Sequence, residues 1–211
     1  MSIKLQHSGG NGVSLNPPSS APTSSEVAFK LPTSDGSAGQ VLQTDGSGNL
    51  SWVSLGVSMV DQWRITDDGT LSQSSVDVFS SNWERVDTDG FAQIGTGMTE
   101  SSGVFTFPST GIYQITLNIP YGRNGGSTYH GQARIETTVD NSSYSVAAAG
   151  YGSFGQNFGR NTAVATFIFD VTNTSTHKVR FSGYSDNDSV RFFGGTNESL
   201  NSATFTRLGD T

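Results

Sequence analysis

The stretch GVFTFPSTGIYQITLNIPY, residues 103–121, decides the fold class. From its middle onward Tyr113, Ile115, Leu117, Ile119 and Tyr121 fall on one side, and Gln114, Thr116 and Asn118 on the other. A period of two is a β-strand with one buried face, because successive side chains leave a pleated ribbon in opposite directions. Just upstream, Pro108 has no N–H for a ladder and Gly111 relaxes the backbone, so two strands meet at a turn there. Working outward, Ala133, Ile135, Thr137 and Val139 alternate with Gln132, Arg134, Glu136 and Asp140. Weaker runs predict strands over 62–66, 83–87, 91–96, 104–107, 143–148, 178–184, 190–193 and 203–208. No window carries the period of a helix. About ten short strands separated by Gly, Asn and Asp turns specify an all-β jelly-roll sandwich.

Composition agrees. Only 14% of the residues are charged and glycine fills 26 of 211 positions, which excludes the usual highly charged disordered chain and a helix bundle alike. A formal charge of −7 argues against non-specific binding to nucleic acid or to an anionic membrane. With no cysteine, neither a disulfide framework nor a thiolate zinc site is possible. The opening MSIKLQHSGGNGVSL has no apolar segment of secretory type, and no run of about 18 apolar residues occurs, so neither a signal peptide nor membrane insertion is expected.

Four of the six prolines, Pro17, Pro18, Pro22 and Pro32, lie near the start, and NPPSSAPTSS (16–25) has nothing to bury. Val41, Leu42 and Thr44 then precede an Asp45–Gly46 turn, with Leu50, Trp52 and Val53 after it, which predicts a β-hairpin. A lone hairpin is marginal in water, so residues 1–55 read as an extended attachment arm with a hairpin, and 56–211 as the head domain. The arm's apolar residues Ile3, Leu5, Val13, Leu15, Phe29 and Leu31 are the candidates for docking. In AVATFIFDV (163–171), Ala163, Ala165, Phe167, Phe169 and Val171 take one face, yet Val164 and Ile168 take the other. An antiparallel strand of a sandwich is ordinarily wet on one side. Val164 and Ile168, with Phe167 beside them, are therefore expected at an interface between copies.

Motifs with chemical meaning are few. GYGSFG (150–155) satisfies G-x-G-x-x-G, but no helix follows to face a pyrophosphate. His7, His130 and His177 have no metal-ligand spacing, and no nucleophile signature accompanies them. Asp67-Asp68, Asp87-x-Asp89 and Asp186-x-Asp188 read as turn formers, because none completes a calcium loop; Asp186 and Asp188 are the weak calcium candidates. A polysaccharide-degrading enzyme would need two facing carboxylates from among Glu84, Glu100, Glu136 and Glu198. No cofactor is called for. The loops 121–131 and 150–161 mix Gly, Asn and Ser with aromatics, a recognition-type composition that places Tyr121, Tyr129, His130, Tyr151, Phe154 and Phe158 at possible contact points. The same glycines also serve close approach of three chains.

Residues 82–211 resemble the C1q/TNF-like trimeric jelly roll through Phe105, Phe107, Pro108, Gly111 and Tyr113, the strand ATFIFDV and the closing SATFTRLGD. KLQHSGGNGVSLNPP (4–18) and LPTSDGSAGQVLQTDGSGNLSW (31–52) resemble the leader of structural proteins from tailed bacteriophages, especially those of marine cyanobacteria. Together these resemblances imply a homotrimeric, non-enzymatic virion protein held by its arm to the major capsid or tail protein. It would be a capsid-decorating head fibre or, alternatively, a short tail fibre whose head loops meet host surface glycans.

Overall fold

The computed structural model describes residues 3–6, 9–10, 12–16, 18–23, 26–54, 56–88, 90–123, 130–153, 159–186 and 190–211, and of residues 3–6, 12–14, 54 and 123 the backbone alone. The chain divides into two units, Met1–Gly56 and Val57–Thr211.

In the first unit β1 (Ile3–Gln6) pairs antiparallel with β2 (Gly12–Leu15). The sequence reading did not include this pairing: apolar residues at every second position flank a Gly-rich reversal, and Gly10 takes φ 91°. The predicted hairpin is present as β3 (Gln40–Thr44) and β4 (Leu50–Ser54). Its turn is set by Asp45, whose carboxylate accepts from the N–H of Ser47 (2.8 Å) and of Asn49 (3.1 Å). The Asn49 side-chain amide, which also donates to it, and then these backbone bonds hold the Asp45 carboxyl below its ordinary value. Lys30 bonds the backbone at Gly48 and Leu50 (2.8 and 2.9 Å), and Trp52 Nε1 donates to Ser34 O (3.0 Å), so the preceding segment wraps the hairpin.

The second unit contains β5 (Met59–Ile65), β6 (Gly69–Leu71), β7 (Val76–Val78), β8 (Trp83–Arg85), β9 (Thr99–Ser101) and β10 (Val104–Thr106). There follow β11 (Gly111–Arg123), β12 (His130–Thr138), β13 (Ser145–Ser153), β14 (Arg160–Val171), β15 (Lys178–Tyr184), β16 (Val190–Phe192) and β17 (Ser202–Gly209). One sheet runs β13-β12-β15-β10-β9, with β7 also on β15; the other runs β6-β16-β11-β17-β5-β8, with β14 also on β11. All these ladders are antiparallel. The inward row Tyr113, Ile115, Leu117, Ile119 and Tyr121 is fully buried, as the alternation requires. Phe105 packs between the sheets against Trp63, Trp83, Phe181 and Phe205, with ring centres 5.1–5.5 Å apart. Tyr113 closes the Pro108 turn by donating to Ser109 O (2.9 Å).

Several boundaries differ from the sequence reading. Residues 91–96 form no strand; Ile94 makes a single bridge to Val60. β13 reaches Ser153 and β14 begins at Arg160, so strands take up much of the expected 150–161 loop. The β12–β13 register shifts between Ile135 and Glu136, after which Thr138 is buried and Val139 is exposed.

Candidate functional site

β14 is an edge strand that sends Ala163, Ala165, Phe169 and Val171 into the core. Val164 and Ile168 point outward and are 51% and 50% exposed. Phe167 is half-buried and packs against the core, on the inward row where the alternation puts it. In the neighbouring outward rows several polar side chains pair with one another. Thr116 bonds Thr166 (3.3 Å), Gln62 donates to Thr204 (2.9 Å) and Asn118 to Ser202 (3.1 Å). Groups paired in this way are not stranded when the face is covered.

The Gly-rich stretch does packing work. A Cβ on Gly150 would lie 1.8 Å from Val164 O, and one on Gly152 would lie 3.0 Å from Ala163 N, because β13 lies against β14 there. Gly155 of the same motif, Tyr129, Phe154, Phe158, Asp188, Asp89 and His7 lie outside the described residues. Tyr121 is not a surface contact: its ring is buried and its hydroxyl donates to Gln132 O (2.8 Å). Burial drives that hydroxyl's pKa well above the ordinary tyrosine value. Tyr151 is exposed, with its ring 5.7 Å from that of His130. His130 Nε2 lies 3.0 Å from Asp186, which gives this calcium candidate a side-chain partner. His177 stacks on Phe169 and bonds Thr172 and Thr176. No cluster of three or more His, Asp or Glu side chains able to hold a metal occurs among the described residues. Glu84 is bound by Arg64 and Thr196, Glu100 by Gly103 N–H, and Glu136 by Arg180 and Ser182, on different strands of the two sheets.

Sequence reasoning missed the outer face of the β12–β15 pair. Arg134 donates Nε and Nη2 to the Gln132 amide oxygen (2.9 and 2.7 Å), and its guanidinium lies 4.4 Å from the centre of the Tyr184 ring. Arg180 donates to Glu136 (2.7 Å) and lies 4.1 Å from the Tyr144 ring centre. Lys178 bonds Thr106 and Thr174 O, and desolvation lowers its pKa below the ordinary lysine value. Only the polar alternation along β12 was a signal; the tyrosine partners come from distant segments.

In the arm, the side chains of Ile3, Leu5 and Val13 lie outside what the structure describes. Leu15, Phe29 and Leu31 are 67%, 65% and 72% exposed.

Among solved structures, the chain is similar to the Eiger TNF of S. frugiperda, with TM-score 0.56 and 10% identity over 74% of this chain and 95% of that one. The fold is a TNF-like jelly roll. Murine APRIL at pH 5.0 shows the same jelly roll, with TM-score 0.51 and 11% identity over 71% of this chain and 98% of that one. The PRD1 vertex protein P5 gives 17% identity over 73% of this chain and 99% of that one, at a TM-score of 0.48. At these identities the TNF-like likeness is one of fold alone. No family model matches the sequence, and no curated protein matches it either.

Proposed function

We propose that this chain is a non-enzymatic structural protein of a tailed-phage virion, a homotrimeric head fibre that decorates the capsid. Residues 1–55 are its attachment arm and 56–211 its head. The carrying observation is the pair Val164 and Ile168, each about half exposed on the edge strand of a TNF-like jelly roll, where a second copy would cover them. The exposed Leu15, Phe29 and Leu31 of the arm support docking on another protein. Three arms engaged together would bind far more tightly than one. The virion reading rests on the resemblance of residues 4–18 and 31–52 to phage leaders. The exposed Tyr151 ring next to His130 supports a second reading, a short tail fibre that contacts host glycans.

A label at the N-terminus, located by electron microscopy in intact particles, tests both. Icosahedrally arranged label is the expected result, and label confined to the portal end assigns a tail fibre. Particles without label overturn the virion reading.

A further inference from the structure

Counter-charge divides the cations of the head. Arg64, Arg85, Arg180, Arg191 and Arg207 each bond a carboxylate. Arg134, Lys178 and Arg160 bond none among the described residues, in a chain whose acids outnumber its Lys and Arg by 18 to 11. Arg160 is on the seven-stranded sheet, over Phe193. Arg134 and Lys178 share the outer face of the six-stranded sheet with Arg180.

Arg134 is held from two sides. The Tyr184 ring carries it, and Gln132, 7% exposed, takes one edge of the guanidinium through Nε and Nη2. The edge formed by Nη1 and the second hydrogen of Nη2 is the one suited to a carboxylate in bidentate fashion. Holding a guanidinium on an amide rather than on an acid keeps its charge available. Tyr151 and Tyr184 pair with Gln132 from opposite sides, which sets their Cα atoms about 10 Å apart across three strands. Tyr151, across Gln132 from Tyr184, is 62% exposed, with its ring 5.7 Å from that of His130. Lys178 lies opposite Thr138, four residues along β12 from Arg134, a separation of roughly 13 Å.

We infer that this sheet face binds an acidic polysaccharide, with a sugar carboxylate on Arg134, a sugar ring on Tyr151, and a later negative group of the same chain at Lys178. A flat array of fixed polar groups with one exposed ring suits a sugar chain better than a protein partner, which would seek a pocket for a side-chain anchor. The face is on the other sheet from Val164 and Ile168 and includes none of the residues proposed for trimer contact or docking.

The test is calorimetric titration of the full chain with polygalacturonate at low salt, with dextran as the neutral control. Polygalacturonate should bind and dextran should not. Arg134→Gln should weaken binding about tenfold or more, as expected for loss of a charge-assisted bidentate contact. Tyr151→Ala, at an exposed position with little bearing on folding, should weaken it several-fold with an unchanged melting temperature. Absence of polygalacturonate binding overturns the inference, as does binding that neither substitution alters. An equal loss with Arg160→Gln would mean diffuse charge attraction and overturn it too. Poly-glutamate bound as tightly as polygalacturonate, with no effect of Tyr151→Ala, would assign the face to an acidic polypeptide instead.

Discussion

At Gly150 any side chain would meet backbone. Its Cβ would fall 1.8 Å from a carbonyl oxygen that belongs to an edge strand of the other sheet, and neither strand can yield without breaking its own ladder. Gly150→Ala should therefore cost about 3 kcal/mol or more by overpacking, read as a fall in melting temperature of roughly 6–12 °C. Gly209→Ala, where a Cβ meets nothing within 4 Å, should leave it unchanged. Equal stability of the two variants would remove the close-approach explanation. The same glycine opens the G-x-G-x-x-G match, so a pattern that reads as a ligand loop in one dimension is a packing device in three. Tyr121 teaches a related lesson. Its position in the alternation assigned it to the core, its glycine-rich neighbours assigned it to a loop, and the hydrogen bond to Gln132 O settles for the core.

Among the strands, β14 bears most directly on assembly. Its inward row was legible because Ala163, Ala165, Phe169 and Val171 keep strict alternation, and its outward Val164 and Ile168 stood out against it. Substituting both with Lys should leave the far-ultraviolet spectrum intact while reducing the sedimenting species to a monomer, because charged groups would lose solvation in a covered interface. A double variant that stays trimeric would show that this face is free. Other elements were less legible. β6, β7 and β9 have three residues each and no aromatic, whereas the equally short β8, β10 and β16 are marked by Trp83, Phe105 and Phe192. The run 91–96 has strand-like residues but finds one bridge instead of a ladder, since Gly95, with φ 69°, turns the chain away. β1 and β2 were hidden by their shortness and by the proline-rich tract that follows.

For the whole molecule, the second unit owns a continuous core from Met59 to Phe205, whereas the first has two hairpins and exposed apolar side chains. A chain limited to 57–211 should fold and sediment as a trimer, checked by analytical ultracentrifugation; a well-folded monomer would count against the proposed assembly. Read alone, the amino-acid order determined the all-β class, the buried row of β11, the Asp45–Gly46 hairpin and the odd outward face of β14. These are local, set by which neighbours are apolar and which residues permit a turn. Only the tertiary structure decided that Gly150 serves β14 and that Arg134 rests on Tyr184. Those facts join residues far apart in the chain, and such pairings depend on strand order and register, which side-chain periodicity does not encode.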